Sequence, residues 1–210
     1  MDFSKFVSLS PFEYLEYITK KFNPAFITTG FNHTFGAKKA GNSKLLEDYQ
    51  THFGYKYNCA EPQYYNGEII SSTKIRSLLK DGSIEVANLL LNSNFFIEGV
   101  VKTGAQIGQT IGFPTANIIY PEEIVKIPYG VYAAKLDSMP AVLNWGMRPT
   151  VNNAIEPIVE AHVLNFNGNL YGKKVKIEIL SKIRNEKKFA TLVDLKEQIK
   201  KDIEECLKLL

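Results

Sequence analysis

Six short β-rich runs follow Asn94 and occupy most of the second half of the chain. Gly, Pro and Asn turns separate them, and in order they read FFIEGVVKTG, ANIIY, GVYAAKL, AVLNWGM, IVEAHVLNF and KKVKIEILSKI. Short strands with close turns are typical of a closed barrel or a sandwich. An amphipathic helix then ends the chain, with Thr191 as its N-cap and Asp194 three residues on. We predict a β domain with a C-terminal helix over residues 95–210.

The first 92 residues have a different pattern, in which helical and short apolar segments alternate. Ser10, Pro11 and Glu13 have the spacing of a capping box with proline at the first helical position. Further helices are predicted at SKLLEDYQTHF, STKIRSLLKDG and SIEVANLLL, and strands at AFITT and YKYNCA. Alternating strands and helices indicate βαβ units on a parallel sheet. We predict a partial, Rossmann-like α/β domain over residues 1–92.

The composition narrows the class of protein. The 210 residues carry a net charge of +3, spread along the chain with no basic stripe, so we expect no nucleic-acid partner, while an anionic nucleotide is compatible. Cys59 and Cys206 lie far apart in no metal-ligand spacing. Neither a signal peptide nor a membrane span is expected from the apolar runs. These features predict a cytoplasmic protein.

The stretch TIGFPTANIIY places a proline inside an apolar run. Pro114 fixes its own φ and biases Phe113 toward an extended backbone. If the chain stays extended, Thr115 and Asn117 point to the same side. Their neutral oxygens suit Mg²⁺ when a nucleotide supplies phosphate oxygens and negative charge. The spacing therefore indicates a metal–phosphate site.

Glycines recur at every fourth residue before Phe113, at Gly104, Gly108 and Gly112. They would let the backbone approach a phosphate chain closely. GAQIGQT is one residue too short for a Walker A loop and has Gln109 in place of its lysine, which argues against a P-loop fold. The alternative is a glycine-rich hairpin followed by an edge strand that tolerates proline.

A carboxylate interrupts the apolar run IVEAHVLNF. Glu160 shares a face with His162, and the near-continuous apolar character indicates a strand covered on both faces. Partial desolvation would raise the pKa of Glu160 and make it a better base. The alternative is a strand-end glutamate paired with a lysine. For His162 a hydrogen-bonded packing role is favoured over catalysis, because no second ligand stands at metal spacing.

Taken in order, these motifs resemble the riboflavin kinase family from about Phe95 to the C-terminus. The stretches that carry the resemblance are GVVKTGAQIGQTIGFPTANI, PYGVYAAKL, LNWGMRPTV, VEAHVLNFNGNLYGKKVKIEIL, IRNEKKF and the closing helix. The resemblance implies a six-stranded antiparallel Greek-key barrel and ATP-dependent phosphorylation of the riboflavin 5′-hydroxyl to give FMN. It also implies that Thr115 and Asn117 bind Mg²⁺–ATP and that Glu160 accepts the hydroxyl proton.

The same resemblance implies further binding residues. Those over the nucleotide are Lys102, Gly104 and Gly112, and those on the flavin side are Arg184, Glu186 and Phe189. The chain departs from the family pattern at Gln109, where arginine is common, and at Asn165, where an acidic residue is common. The missing arginine would weaken ATP binding, and it is the main argument for a non-catalytic flavin- or nucleotide-binding module.

The first 92 residues are similar to the latter part of the FAD synthetase (FMN adenylyltransferase) domain of bifunctional bacterial enzymes. TTGFNHTFGAKKAGN resembles the family's GxDFxFGxxRxGD segment, with Asn32, Lys39 and Asn42 replacing Asp, Arg and Asp. ISSTKIR matches its ISSTxIR motif, which implies a remnant nucleotide-phosphate site at Ser71, Ser72, Thr73 and Arg76. Hydroxyls at a helix start can bind an anion, but the alternative is an N-cap followed by a solvated arginine.

The family's phosphate-binding motif GxFDGxHxGH does not occur in these 210 residues. We therefore expect a chain that begins inside the adenylyltransferase domain and makes little or no FAD. Exposed sheet edge and apolar surface would favour self-association. The leading hypothesis is a riboflavin kinase that uses riboflavin, ATP and Mg²⁺. The alternatives are a fragment of a bifunctional FAD synthase and the binding module.

Overall fold

The computed structural model describes residues 8–102, 108, 111–121, 123–149 and 155–210, with the side chains of 147–149 and 155–158 excepted. These residues form two compact units that divide between Ile70 and Ser71. In the described part of the chain, no helix combines the length and the apolar character needed to cross a membrane.

The first unit contains a two-stranded parallel sheet and its helices. Its elements are α1 (Pro11–Phe22), β1 (Phe26–Gly30), α2 (Ser43–Asp48), α3 (Gln50–Phe53), β2 (Lys56–Ala60), β3 (Tyr64–Tyr65) and β4 (Glu68–Ile69). β1 pairs with β2 in parallel, and β3 and β4 form a small antiparallel hairpin. The predicted parallel pairing is confirmed, and the helix predicted at SKLLEDYQTHF is divided at Tyr49.

Local sequence explains how α1 begins. The Glu13 N–H donates to Ser10 Oγ at 3.3 Å, and the Ser10 N–H donates to Glu13 Oε2 at 2.7 Å, so the predicted capping box is present. Behind it, Leu15 packs with Phe35 and Leu46 in the core of this unit. The opposite side of the sheet is open, and Phe26 on β1 is 66% exposed.

The second unit is a closed antiparallel barrel with helices. Its elements are α4 (Ser72–Asp81), α5 (Ile84–Leu91), β5 (Phe95–Lys102), β6 (Ala116–Ile119), β7 (Gly130–Leu136), β8 (Met139–Pro149), β9 (Ile155–Val163), β10 (Lys174–Arg184) and α6 (Leu192–Lys208). The strand order around the barrel is β10–β5–β6–β9–β8–β7, and β7 closes on β10. The predicted six-stranded barrel with a C-terminal helix is confirmed.

Side chains fill the interior of the barrel. Alternate residues of every strand point inward, and Trp145 and Tyr132 are the largest of them. The Tyr132 hydroxyl donates to the Pro128 carbonyl, and burial raises the pKa of Tyr132 well above its usual range. Because the interior is packed, any binding surface of this unit must lie on its outside or at its ends.

Two helices cover parts of the outer surface. The Asn88 side chain of α5 donates to the Ile179 carbonyl at 2.9 Å and accepts from the Phe95 N–H at 2.7 Å. On α6, the buried Cys206 thiol lies 3.3 Å from the Ala141 carbonyl, and burial raises its pKa. The compact unit thus begins before the predicted boundary at residues 92–95, and where the two family domains meet stays a prediction.

The sole tryptophan, Trp145, reports on the barrel and allows a matched test of its packing. Leu143→Ala removes a side chain that is 0% exposed, and we expect it to lower the free energy of unfolding by about 2–5 kcal/mol. Leu192→Ala makes the same change at a residue that is 61% exposed, and we expect a change within about 0.5 kcal/mol. Urea titration followed by tryptophan fluorescence measures both. Equal losses would contradict this account of the core.

Candidate active site

Strand pairing brings residues from four strands into one row. Lys102 on β5 lies opposite Asn117 on β6, Asn117 lies opposite Glu160 on β9, and Glu160 lies opposite Asn144 on β8. We call these four residues the polar row. Directly opposed residues have Cβ atoms about 4.5–5.5 Å apart and point to the same face. The two predicted functions, metal ligand at Asn117 and base at Glu160, therefore stand on neighbouring strands.

The polar row lies on the outer face of the barrel. Ala116 and Ile118 flank Asn117 and belong to the core, as do Val159 and Ala161 on either side of Glu160. Asn117, Glu160 and Asn144 are half-buried and Lys102 is exposed. A ligand bound to the outer surface of the barrel could therefore contact the side chains of the polar row.

Thr115 lies just before β6, on the same side as Asn117. If the β6–β9 register is continued by one residue, Thr115 faces His162 as Asn117 faces Glu160. The side chains of Thr115 and Asn117 make no hydrogen bond to any other described residue. Their oxygens are therefore available to a ligand.

A hydrogen bond outside the sheet ladder fixes the proline of this segment. His162 Nδ1 donates to the Pro114 carbonyl at 2.8 Å, and the Phe113 ring meets the imidazole edge to face at 5.5 Å between centroids. The predicted hydrogen-bonded packing role of His162 is confirmed. The sequence pattern did not show which atom it would hold.

Two of the three predicted glycines can be placed. Gly112 has φ +89°, which favours glycine, and a Cβ on Gly108 would collide with the Phe113 carbonyl oxygen. The Phe113 N–H also donates to the Gly108 carbonyl at 2.8 Å. Gly104 and Gln109 lie outside the described residues.

The residues predicted for the flavin side lie at and beyond the end of β10. Arg184 Nε and Nη2 each donate to the Asp202 carboxylate of α6 at 2.8 Å, and Gln198 donates to the same carboxylate at 2.9 Å. Asp202 is buried. Arg184 is thereby anchored to α6, and its guanidinium lies 5.7 Å from the centre of the Phe189 ring. This bidentate pair sets the course of the chain that follows β10.

The Glu186 side chain extends to β8. Its carboxylate occupies the space that a Cβ on Gly146 would need, so a larger residue at 146 would displace that carboxylate. Gly146 is two residues from Asn144 of the polar row, which puts Glu186 one strand away from Glu160.

Phe189 lines a surface pocket of about 240 Å³ between this segment and α6. Its walls are Lys187, Lys188, Phe189, Ala190, Asp194, Glu197, Gln198 and Lys201. That volume is below the roughly 300–1,000 Å³ of typical small-molecule sites, so it would hold part of a ligand.

The residues predicted as a remnant phosphate site begin α4. Ser71 Oγ accepts from the Lys74 N–H at 3.2 Å, so Ser71 is the N-cap, while Ser72, Thr73 and Arg76 are exposed. In the first unit, Asn42 caps α2 by accepting from the Leu45 N–H at 3.1 Å. Asn and Asp cap equally well, so this substitution preserves the local structure.

Sequence reasoning left Asn144 and His162 outside the predicted site. Asn144 stands in the quoted run AVLNWGM, as the polar residue between inward-facing Leu143 and Trp145. That alternation indicates that Asn144 points out of the barrel, but only the β8–β9 register shows that it lies opposite Glu160. Across the described residues, no group of three or more His, Cys, Asp or Glu side chains could hold a metal ion.

Similarity to known proteins extends over both units. The sequence model of the riboflavin kinase family matches residues 91–210, and that of the FAD synthetase family matches residues 1–74. A bifunctional riboflavin kinase/FMN adenylyltransferase from Haemophilus influenzae is 38% identical over 184 residues, which cover 85% of this chain and 59% of that protein. The Bacillus subtilis protein of the same name is 35% identical, with 97% of this chain and 66% of that protein covered.

A solved structure shows the same fold. The crystal structure of a Streptococcus pneumoniae protein described as a macrolide-efflux protein matches with a TM-score of 0.83 and 31% identity, covering 96% of this chain and 66% of that chain. This chain spans about 59–66% of the length of these proteins. Because one family model accounts for more than half of the residues, the predicted membership is confirmed: the chain belongs to the riboflavin kinase family.

Proposed function

We propose that this chain transfers the γ-phosphoryl group of ATP to the 5′-hydroxyl of riboflavin and releases FMN and ADP. The observation that carries the proposal is the β6–β9 register, which sets Asn117 directly opposite Glu160. A metal-binding oxygen and a carboxylate base on adjacent strands are the two groups that must stand on either side of a transferring phosphoryl group. Phosphoryl transfer depends mainly on such positioning and on charge neutralisation.

Thr115 and Asn117 are proposed to hold Mg²⁺ together with ATP. Their hydroxyl and amide oxygens are hard neutral donors, they lie on one side of the chain, and neither is used by another described residue. When bound, the metal would neutralise charge on the phosphate oxygens. Because both proposed protein ligands are neutral, the nucleotide phosphates would supply the negative charge that contacts the metal.

Glu160 is proposed as the general base. It accepts the proton of the riboflavin 5′-hydroxyl as that oxygen bonds to the γ-phosphorus and the bond from phosphorus to the β–γ bridging oxygen breaks. Its half-buried position on a rigid strand limits the directions its carboxylate can take. Asn144, opposite it on β8, is a neutral neighbour and does not repel the ionised base.

The remaining residues are proposed to bind the two substrates. Lys102, next to Asn117 in the polar row, and the segment through Gly104 and Gly112 would cover the ATP phosphates. On the flavin side, the Arg184 guanidinium is bound to Asp202, and Glu186 and Phe189 are not part of that ion pair. We therefore assign direct flavin contact to Glu186 and Phe189 and an organising role to Arg184.

We expect the purified chain to convert riboflavin, ATP and Mg²⁺ to FMN without forming FAD. The FAD synthetase match ends at residue 74, and the 210 residues lack the GxFDGxHxGH motif. Chromatographic separation of the products decides among the hypotheses. FAD would favour the bifunctional enzyme, with Ser71, Ser72, Thr73 and Arg76 as working phosphate ligands, whereas flavin binding without either product would favour the binding module.

Glu160→Gln should lower kcat about 10²–10⁴-fold, because the amide cannot accept the hydroxyl proton, while riboflavin binding stays close to that of the wild type. Steady-state FMN formation and a flavin fluorescence titration measure the two effects. Glu98→Gln is the matched control, since Glu98 lies on the outer face of β5 and pairs with Lys174 at 2.6 Å. Normal turnover of Glu160→Gln would show that the base is another group.

We also propose that the chain associates with a second copy through the sheet of its first unit. In the part of the chain that the structure describes, β1 and β2 pair only with each other, so each leaves an open edge, and Phe26 lies exposed beside them. Open edges of this kind pair readily with another strand. The cytoplasmic location stays a prediction.

Light scattering tests this association. We expect a mass above the 23.7 kDa of one chain, and a shift toward one chain in Phe26→Ser, because removing the ring weakens apolar contact beside the edge. Phe96→Ser is the control, since Phe96 is a 45% exposed aromatic on the outer face of the barrel. A wild-type chain that stays monomeric at micromolar concentration would contradict the proposal.

A further inference from the structure

One histidine next to the proposed site has no role in the mechanism above. We propose that His162 is a positioning residue that holds the Mg²⁺–ATP segment in register with the base, through its hydrogen bond to the Pro114 carbonyl. The inference rests on the proposed kinase function and adds a residue to it. His162 contacts the protein backbone, so no contact with substrate is required of it.

The segment needs such support because the sheet ladder stops short of it. β6 begins at Ala116, so Thr115 and Pro114 lie beyond its first ladder pair, and proline has no N–H with which to extend the ladder. His162 faces this stretch from β9 and bonds to the Pro114 carbonyl at 2.8 Å. Within the described residues, the His162 side chain thus provides the hydrogen bond between β9 and this segment beyond the last backbone pair, Ala116 and Ala161.

The chemistry of the hydrogen bond shows which property of the His162 side chain is required: a hydrogen-bond donor at Nδ1. A carbonyl oxygen only accepts, so Nδ1 must carry the hydrogen, which holds for the Nδ1–H neutral tautomer and for the cation alike. The position of the donor is therefore the requirement, and the charge of the ring is not. The Phe113 ring, packed edge to face at 5.5 Å between centroids, limits rotation of the imidazole.

The position of His162 on β9 also links the proposed metal ligands to the proposed base. Glu160 and His162 are two residues apart on one strand and point to the same face. β9 therefore carries both the proposed base and the anchor of the proposed metal ligands. A shift of Pro114 would move Thr115 relative to Glu160, and displacements of about 1 Å in such an arrangement can cost about 10²-fold in rate.

Three substitutions separate positioning from packing. His162→Leu keeps bulk and removes the donor, and we expect the KM for ATP to rise about 3- to 10-fold, with kcat reduced and the KM for riboflavin unchanged. His162→Asn places an amide N–H at the position of Nδ1 and should restore the KM for ATP. His162→Gln puts its amide one bond farther out and should restore it less. His52→Leu, the same change on exposed α3 of the first unit, is the control.

The outcomes are distinct. A Leu variant with wild-type kinetics, or one whose two KM values rise together with no recovery in the Asn variant, would overturn the inference. If the wild type forms no FMN, the proposed function fails by itself. The inference is then decided by calorimetric titration of the same variants with ATP and Mg²⁺: weakened binding in Leu and recovery in Asn support it, and equal binding in all variants overturns it.

Discussion

A packed interior is the constraint on which the second unit depends. Inward-facing side chains such as Trp145, Tyr132 and Leu143 leave no room for a ligand inside the barrel. Polar groups of the strands that could act on a substrate therefore alternate with them and face outward. The register of the strands then decides which outward groups become neighbours, and it makes Asn117 the neighbour of Glu160.

The sequence predicted much of this because its strongest signals are local. A capping box, glycine turns and alternating strands depend on a few adjacent residues, and a strand period of two suffices to put Thr115 and Asn117 on one side. What it did not predict is long-range. The partner of Arg184, Asp202, comes 18 residues later on another element, and nothing local marks it. Leu192 has the helical spacing of the apolar face of α6, yet it is exposed together with the rest of the first turn of that helix.

Polar side chains of β10 make two different kinds of contact. In the middle of the strand, Lys176 and Asn94 donate to Glu178, and these bonds lower the pKa of that carboxyl. At its far end Arg184 is clamped by the buried Asp202. A buried ion pair is more a device for fixing one arrangement than a source of stability. Here the arrangement it fixes is the path of Glu186 and Phe189.

The tie between His162 and Pro114 also affects how such a site can change over time. The last residues of the glycine-rich segment are held by β9, outside the segment itself. Residues farther upstream can therefore differ in kind or number while Thr115 keeps its position relative to Glu160, the proposed base. Replacing a customary arginine by Gln109 is a change of that sort. In the proposed kinase, the residues that recognise the nucleotide would thus be separate from those that align it, so the first group could change in evolution while the second is retained.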